Sequence, residues 1–164
     1  MKAVSYASRA TDQQATYLRI YADASGETHM EEIDISLLPT EVFDGYPPLR
    51  LSETLAALGC RFCRVPSGMH EVGWHNPRCR KLAIWLTGEV EFETSDGDIR
   101  RVAAGSVVLA EDTTGKGHIS RHPPDGQLQI MVDLDRLDRT HVASGIRRQS
   151  GTSGSSWRFL DAGY

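Results

Sequence analysis

The sequence predicts an all-β domain, and three observations lead to that prediction. Short segments of alternating apolar and polar residues recur along the chain, most clearly at 127–134. Turn-forming sequences separate these segments, as at Ser95-Asp96-Gly97-Asp98. Helical periodicity is almost absent from the chain. Many short strands joined by glycine-rich turns favour a β-barrel or a β-sandwich.

The first strands follow from their own patterns. Residues 15–22 alternate, with Leu18, Ile20 and Ala22 on one face, which is typical of a half-buried strand. After a turn at 24–27, a second strand is predicted at 28–35. Its alternation puts four side chains on one side: His29, Glu31, Ile33 and Ile35.

The middle of the chain is harder to assign, and the later part is clearer. The pair Pro47-Pro48 excludes a helix from its loop, and residues 49–58 fit either an extended segment or one short helical turn. Further strands are predicted at 59–65, 78–86, 89–94, 99–102, 106–110 and 127–134. We therefore divide the chain into a polar N-terminal segment (1–14), one β domain (15–138) and a C-terminal tail (139–164). The tail includes a Gly/Ser-rich stretch at 149–156, a composition typical of flexible linkers.

Composition excludes several classes of partner. A chain of 164 residues has room for one domain with a core, and its net charge of −4 gives no electrostatic reason to bind nucleic acid or an anionic membrane. No apolar run approaches the roughly 20 residues that span a bilayer. The first residues lack the apolar segment of a signal peptide, so we expect a cytoplasmic protein.

Three cysteines fit a reducing compartment. Cys60 and Cys63 form a CxxC, but a zinc ribbon needs a second such pair, and a redox CxxC needs a helix start where this sequence predicts a strand. We therefore expect Cys60, Cys63 and Cys79 to be small buried packing residues.

The stretch 73–118 carries two histidine motifs. The first ends at Gly88 and includes His75, Pro77 and Lys81; the second has the spacing Gly-x-x-His within Glu111–His118, which reads Glu-Asp-Thr-Thr-Gly-Lys-Gly-His. Spaced in this way, the motifs resemble those of the cupin superfamily, and a group of small cupins carries the second motif. The resemblance covers roughly residues 58–134. It implies a double-stranded β-helix (jelly-roll) barrel with extra N-terminal strands, in whose mouth His75 and His118 face each other.

Cupins usually hold a divalent metal through three histidines and a glutamate. In register with Gly88, Pro77 and Lys81 stand at two of these positions, which leaves His75 and His118. Two histidines alone bind a divalent ion weakly, and an ammonium group beside them would repel it. We therefore expect no metal cofactor. The alternative is Fe, Zn, Ni or Mn on His75 and His118, with further help from Glu111, Asp112, His70 or His122.

Strand alternation from His75 predicts the contents of the pocket. It turns five further side chains inward: Pro77, Cys79, Lys81, Ala83 and Trp85. We assign catalytic roles to His75, His118 and Lys81. We assign substrate binding to Trp85, Cys79, His29 and Glu111. Purely structural roles for these residues stay open as alternatives. They are hydrogen-bonded histidines, a lysine that extends to the rim, a packing thiol, a core indole, and loop carboxylates of which one orients a histidine.

The expected function is a small-molecule enzyme of the cupin type that performs acid/base chemistry, as a lyase or isomerase without a redox metal. Two imidazoles and an amine can move protons in dehydration, isomerisation, epimerisation or cyclisation of a polar metabolite or natural-product intermediate. The alternatives are an iron-dependent dioxygenase and a non-catalytic binder of small molecules. We also expect a homodimer, because jelly-roll barrels leave sheet edges and an apolar outer face, here Leu82, Ile84 and Leu86.

Overall fold

The computed structural model describes residues 15–134, which form twelve β-strands and no helix. The all-β prediction is confirmed. The strands are β1 (Thr16–Ala22), β2 (Thr28–Asp34), β3 (Leu38–Thr40), β4 (Leu49–Leu51), β5 (Ala57–Val65), β6 (Glu71–His75), β7 (Lys81–Thr87), β8 (Glu89–Thr94), β9 (Ile99–Ala103), β10 (Val107–Ala110), β11 (His118–Arg121) and β12 (Gln127–Leu134). The predicted N-terminal segment and C-terminal tail lie outside the described residues. Within 15–134 there is no helix with the length and apolar character that crossing a membrane requires.

Two sheets carry the domain. A six-stranded sheet has the order β2-β1-β10-β7-β12-β5, and a four-stranded sheet has the order β6-β11-β8-β9. All neighbouring strands are antiparallel except β1 and β10, which run parallel. Strands β3 and β4 pair only with each other. The arrangement is compatible with a β-sandwich, and among residues 15–134 no hydrogen-bonded closure joins the two large sheets into a barrel.

The core lies between the two sheets. Leu18 and Ile20 of β1 are fully buried, as their period-two spacing predicts, and Val90 and Phe92 of β8 are buried from the other sheet. The indole of Trp85 meets the ring of Phe92 edge to face, with centroids 5.8 Å apart. Burial of each such aliphatic or aromatic side chain stabilises the folded state by about 1.5–3 kcal/mol. Together these buried side chains hold the two sheets face to face.

The predicted strand at 78–86 starts later, and this changes the geometry of the site. Strand β6 ends at His75, residues 76–80 leave the strand conformation, and β7 begins at Lys81 in the other sheet. Pro77 has no N–H to donate to a sheet, which fits a crossing segment. His75 and Lys81 therefore lie on different sheets and do not share one alternating strand.

Two further expectations are corrected, and the open assignment of residues 49–58 is decided in favour of an extended segment. In β2 the buried side chains are Thr28 and Met30, so the side that carries His29 is the outer one. The segment at 49–58 resolves into the short strand β4 and the start of β5. Cys60 is exposed, because edge strand β5 presents most of its side chains to solvent.

Most of the exposed large apolar side chains in residues 15–134 lie in one continuous segment, from Leu38 to Phe62. Phe62 is 72% exposed, and Leu58 and Leu55 are 69% and 56% exposed. The segment comprises the β3–β4 pair and most of β5, the edge strand of the six-stranded sheet. The other exposed apolar residues in this segment are Leu38, Val42, Phe43, Tyr46, Leu49 and Leu51. We call this segment the apolar arm.

Candidate functional site

A cavity of about 390 Å³ opens between the two sheets, a volume within the roughly 300–1,000 Å³ of small-molecule sites. Side chains from β6, β8 and β11 line one side, and side chains from β5, β7, β10 and β12 line the other. Its polar lining residues are His75, Asn76, Arg78, Lys81, His118, Ser120, His122, Gln127 and Gln129, together with the thiol of Cys63. The remaining ten lining residues are apolar.

The structure brings His75 and His118 together. They are directly paired partners in β6 and β11, and their ring centroids are 4.5 Å apart in an edge-to-face arrangement. His75 Nδ1 lies 2.7 Å from the carbonyl oxygen of Gly73. Because a carbonyl only accepts hydrogen bonds, Nδ1 carries a proton, and in the neutral form of the ring Nε2 keeps its lone pair.

His118 is held by a buried carboxylate. Its Nδ1 lies 2.7 Å from Oδ2 of Asp112, which is 0% exposed, and His118 is itself only 5% exposed. The carboxylate accepts, so His118 Nδ1 donates and its Nε2 is the basic nitrogen. The second oxygen, Asp112 Oδ1, is buried and has no hydrogen-bond partner among residues 15–134. This pair realises the expectation that one of the two adjacent loop carboxylates orients a histidine.

The loop that carries Asp112 is fixed to the end of β6. The side-chain nitrogen Nδ2 of Asn76 donates to the backbone carbonyl oxygens of Asp112 (2.6 Å) and Thr114 (3.1 Å). The residue before His118 is Gly117, at φ +72, and a Cβ there would lie 2.2 Å from the carbonyl oxygen of His75. Only glycine permits this approach, so the two histidines are set side by side by backbone geometry.

A second hydrogen-bonded chain crosses the cavity wall. Trp85 Nε1 donates to Gln127 Oε1 (3.1 Å), and Gln127 Nε2 lies 3.1 Å from His122 Nδ1. An indole N–H can only donate, which fixes the amide orientation, so Gln127 Nε2 donates to an unprotonated His122 Nδ1. His122 Nε2 then carries the proton and lies 3.4 Å from Ser120 Oγ. Burial lowers the pKa of His122, and the neighbouring His75 lowers it further, so both effects favour the neutral form of this third imidazole.

Lys81 reaches the cavity from β7. Its Nζ lies 3.8 Å from Asp133 Oδ1, and its side chain is 20% exposed. Asp133 also pairs with Arg61 on the adjacent strand. Lys81 and Trp85 therefore line the cavity with the two histidines, as the sequence predicts for their side of the strand.

Three predicted substrate-binding residues lie outside the lining of the cavity. Cys79 sits in the crossing segment, where strand alternation does not apply; burial raises the pKa of its thiol, and a hydrogen bond to Asp133 adds to this. The thiol that lines the cavity is Cys63. Assigning Cys79 to the lining was wrong for this reason.

His29 and Glu111 are engaged elsewhere. His29 lies on the outer side of β2, with Nδ1 2.7 Å from Asp96 and Nε2 3.3 Å from Asp23. Glu111 accepts from Arg19 Nε (2.6 Å) and from Arg80 Nε (2.7 Å). Neither belongs to the cavity lining, because each side chain faces away from the space between the sheets.

Sequence reasoning missed the two glutamines of β12 and their role. Gln127 and Gln129 are 1% and 4% exposed, whereas the alternating apolar residues Leu128, Ile130 and Val132 are only half-buried. The sequence does contain an indication of this role, because Gln127 and Gln129 occupy the alternate positions of β12 to the apolar residues and therefore share one face of the strand. Amides that point into a cavity leave the apolar side chains of the same strand on its outer face.

The two facing imidazoles are the candidate ligands for a metal ion. Both offer Nε2 while Nδ1 donates to an oxygen, an orientation that metal-binding histidines also use. Within residues 15–134 no three His, Cys, Asp or Glu side chains are grouped so that they could hold an ion. A divalent ion here would have two protein ligands, fewer than the three or four usual for tight sites.

A search against models of protein families found no match to this chain, and a search of curated protein sequences found none.

Proposed function

We propose that this chain is a small-molecule enzyme of the cupin type that performs acid/base chemistry in the cavity between its sheets. The observation that carries the proposal is the buried hydrogen bond from His118 to Asp112 beside His75. A histidine oriented by a buried carboxylate, at the wall of an apolar cavity, is suited to remove a proton from a bound molecule. The reaction class is dehydration, isomerisation, epimerisation or cyclisation.

In this mechanism His118 Nε2 accepts a proton from a carbon next to a carbonyl or similar activating group. The imidazolium that forms is stabilised by Asp112, which keeps its negative charge and accepts from Nδ1–H. His75, in its imidazolium form with a proton on each ring nitrogen, returns the Nε2 proton to the substrate or to its leaving hydroxyl. Lys81 supplies a positive charge near the negative charge that develops on the activating group.

The cupin assignment remains part of the proposal. Two facing sheets of six and four strands are compatible with a double-stranded β-helix. The glycine that ends the first motif, Gly88, and the glycine of the Gly-x-x-His spacing, Gly115, both have positive φ, as tight turns at these positions require. The direct pairing of His75 with His118 across β6 and β11 also supports it.

Isotope exchange tests the reaction class without a known substrate. The purified protein is incubated in D₂O with a metabolite mixture, and products are followed by mass spectrometry. Acid/base chemistry predicts compounds that gain deuterium or lose water without consumption of O₂. The variant His118→Ala should abolish this, whereas His70→Ala, at an exposed histidine outside the cavity lining, should not. If wild-type protein and His118→Ala give identical product spectra, the acid/base proposal fails.

An iron-dependent dioxygenase is the second candidate, favoured by the free Nε2 atoms of His75 and His118. Metal analysis of protein purified without chelators separates the two candidates. Stoichiometric iron together with O₂ uptake that chelation abolishes would support the dioxygenase. A compound that binds wild-type protein and is recovered unchanged would instead support a non-catalytic binding protein.

We also propose a homodimer in the cytoplasm that binds neither nucleic acid nor membrane. The apolar arm, residues 38–62, supports the dimer, because it combines exposed apolar side chains with the edge strand β5, beside which no further strand lies among residues 15–134. The predicted outer face of β7 contributes less, since Leu82 and Ile84 are half-buried and only Leu86 is exposed. The three free thiols of Cys60, Cys63 and Cys79 fit a reducing compartment.

A further inference from the structure

The cavity is positively charged although the chain is acidic. Its charged lining residues are Arg78 and Lys81, and no Asp or Glu lines it among residues 15–134. The chain as a whole carries a net charge of −4. Two carboxylates lie behind this lining, Asp112 against His118 and Asp133 against Lys81. The formally charged side chains that a bound molecule contacts directly are therefore cations.

These two cations are incompletely neutralised. Arg78 is exposed at the cavity and has no carboxylate partner within the described part of the chain. Lys81 shares its one carboxylate, Asp133, with Arg61. One negative charge faces two positive charges there, so positive charge remains available to a ligand.

The rest of the lining is mostly apolar. Ten apolar side chains surround the polar groups: Val65, Met69, Val72, Pro77, Ala83, Trp85, Phe92, Val108, Ala110 and Met131. His122 and Gln127 satisfy each other, and the lowered pKa of His122 favours its neutral form. A ligand that fits this lining has an apolar body and one negatively charged group.

We propose that the substrate is a small organic carboxylate with an apolar body, whose carboxylate is bound by Arg78 and Lys81. The inference deepens the proposed function and rests on it, because the bound carboxylate is a substrate only if the chain is an enzyme. A guanidinium matches a carboxylate with two parallel hydrogen bonds, and the lysine adds a point charge. With the anionic group held by these cations, the apolar body extends along the wall formed by Trp85 and Phe92, toward His118, whose ring lies 5.3 Å from that of Phe92.

Matched probes test charge recognition directly. Phenylacetate, phenylacetamide and phenyl phosphate share an aromatic body and differ in the head group. Isothermal titration calorimetry should show phenylacetate binding at least about tenfold more tightly than phenylacetamide, the effect expected of a charge-assisted hydrogen bond. Equal affinity for acid and amide, or no binding of phenylacetate at millimolar concentration, overturns the proposal. Tighter binding of phenyl phosphate than of phenylacetate overturns the choice of carboxylate.

Variants assign the charge to its residues. Arg78→Gln and Lys81→Gln should each weaken phenylacetate binding about tenfold and leave phenylacetamide binding unchanged. Asp133 keeps Arg61 as a partner in Lys81→Gln, so no carboxylate is left unpaired. Arg64→Gln, at an exposed arginine of β5 outside the cavity lining, is the matched control and should bind like wild type. A loss in Arg64→Gln as large as in Arg78→Gln contradicts the assignment.

The variant His118→Ala separates this inference from the proposed function. It should retain the preference for phenylacetate over phenylacetamide while losing proton exchange. If the preference holds but no exchange is found in wild-type protein, carboxylate recognition stands and the acid/base function fails. If exchange is found with neutral compounds only, the function stands and carboxylate recognition fails.

Discussion

Asp112 determines which nitrogen of His118 faces the cavity. Replacing Asp112 with Asn keeps the size of the side chain and removes its charge, so in the proposed reaction the His118 imidazolium would lose its stabilising partner. We expect Asp112→Asn to lower turnover by about 10²- to 10⁴-fold, the range of general acid/base contributions, with little change in substrate affinity. Turnover and binding measured separately on the same substrate check this.

The ¹⁵N chemical shifts of the His118 ring report its tautomer. They therefore distinguish a carboxylate that orients the ring from one that only stabilises the fold. Wild-type protein should show the tautomer with the proton on Nδ1, and Asp112→Asn should show a mixture of tautomers. Asp34→Asn, the same change at an exposed position at the end of β2, should leave the tautomer unchanged. An unaltered tautomer in Asp112→Asn would show that the carboxylate does not orient the ring.

At the residue scale, the sequence predicts the site in part. His75, His118, Lys81 and Trp85 could be found because short motifs and strand alternation are local properties. Asp112 could be named only as one of two adjacent carboxylates, because the rotation of its loop decides which one reaches the histidine. Its neighbour Glu111 points instead to Arg19 and Arg80.

At the scale of elements, Gly117 fixes the approach of β11 to β6. Both Gly117 and Gly97 have positive φ, but a Cβ at Gly97 meets nothing within 4 Å, whereas one at Gly117 would lie 2.2 Å from the His75 carbonyl oxygen. We expect Gly97→Ala to cost roughly 1–2 kcal/mol for its conformation alone. Gly117→Ala should cost clearly more, because the two strands must also move apart.

Urea denaturation of both variants measures the difference in unfolding free energy. NMR signals of the His75 and His118 rings should shift in Gly117→Ala and stay in place in Gly97→Ala. Equal destabilisation by the two substitutions would mean that the close approach at Gly117 carries no constraint of its own.

His29 links β2 to the β8–β9 turn and gives the fold a pH-dependent contact. Hydrogen bonds to Asp96 and Asp23 raise the pKa of His29. A histidine with a raised pKa stabilises the fold fully below its unfolded value of 6.5, and the stabilisation is lost as pH rises through the folded value.

The carboxylates set the acid limit of the same contact. The pKa of Asp23 is lowered to about 2, first by its hydrogen bond from Ser25, and that of Asp96 is also lowered, by hydrogen bonds from Asp98, Thr94 and His29 that outweigh its burial. Their contributions are present above their unfolded values and are lost as pH falls through the folded ones. The contact is therefore complete between about pH 4 and pH 6.5, the unperturbed values of Asp and His.

His29→Gln tests this window. We expect its urea midpoint to fall below that of wild-type protein at pH 5.5 and to approach it at pH 9, because the wild-type histidine is then neutral. His70→Gln, at an exposed histidine without a hydrogen-bonded side-chain partner in the described chain, should show no pH-dependent difference. A gap between His29→Gln and wild type that is constant from pH 5.5 to pH 9 would contradict the ionic contact.

Element boundaries show why the cavity could be predicted only in part. The hairpin turn at Ser95–Asp98 is a local signal, and it forms as predicted, with Gly97 N donating to the carbonyl oxygen of Thr94. The crossing at 76–80 has no such local signal, because the alternating patterns before and after it continue one another and together resemble a single strand. That crossing moves Cys79 away from the cavity and brings Lys81 in from the opposite sheet.

At the scale of the whole molecule, the apolar arm is the feature that the fold alone does not explain. Its residues cluster in one segment and include β5, which is an edge strand within the described part of the chain, and an exposed apolar edge strand favours pairing with another chain. A second copy of this chain supplies an identical apolar surface. A two-fold arrangement then buries both arms at once.

A single charge in the arm tests the dimer. Phe62→Glu places a carboxylate where an apolar side chain would be buried, an unfavourable change of several kcal/mol per interface, and should give a monomer of 18.1 kDa. Wild-type protein should have twice this mass by light scattering after size exclusion. Ile99→Glu, at an exposed apolar residue of β9 outside the arm, should stay dimeric. A wild-type monomer, or a dimer that survives Phe62→Glu, would mean that the arm does not form the interface.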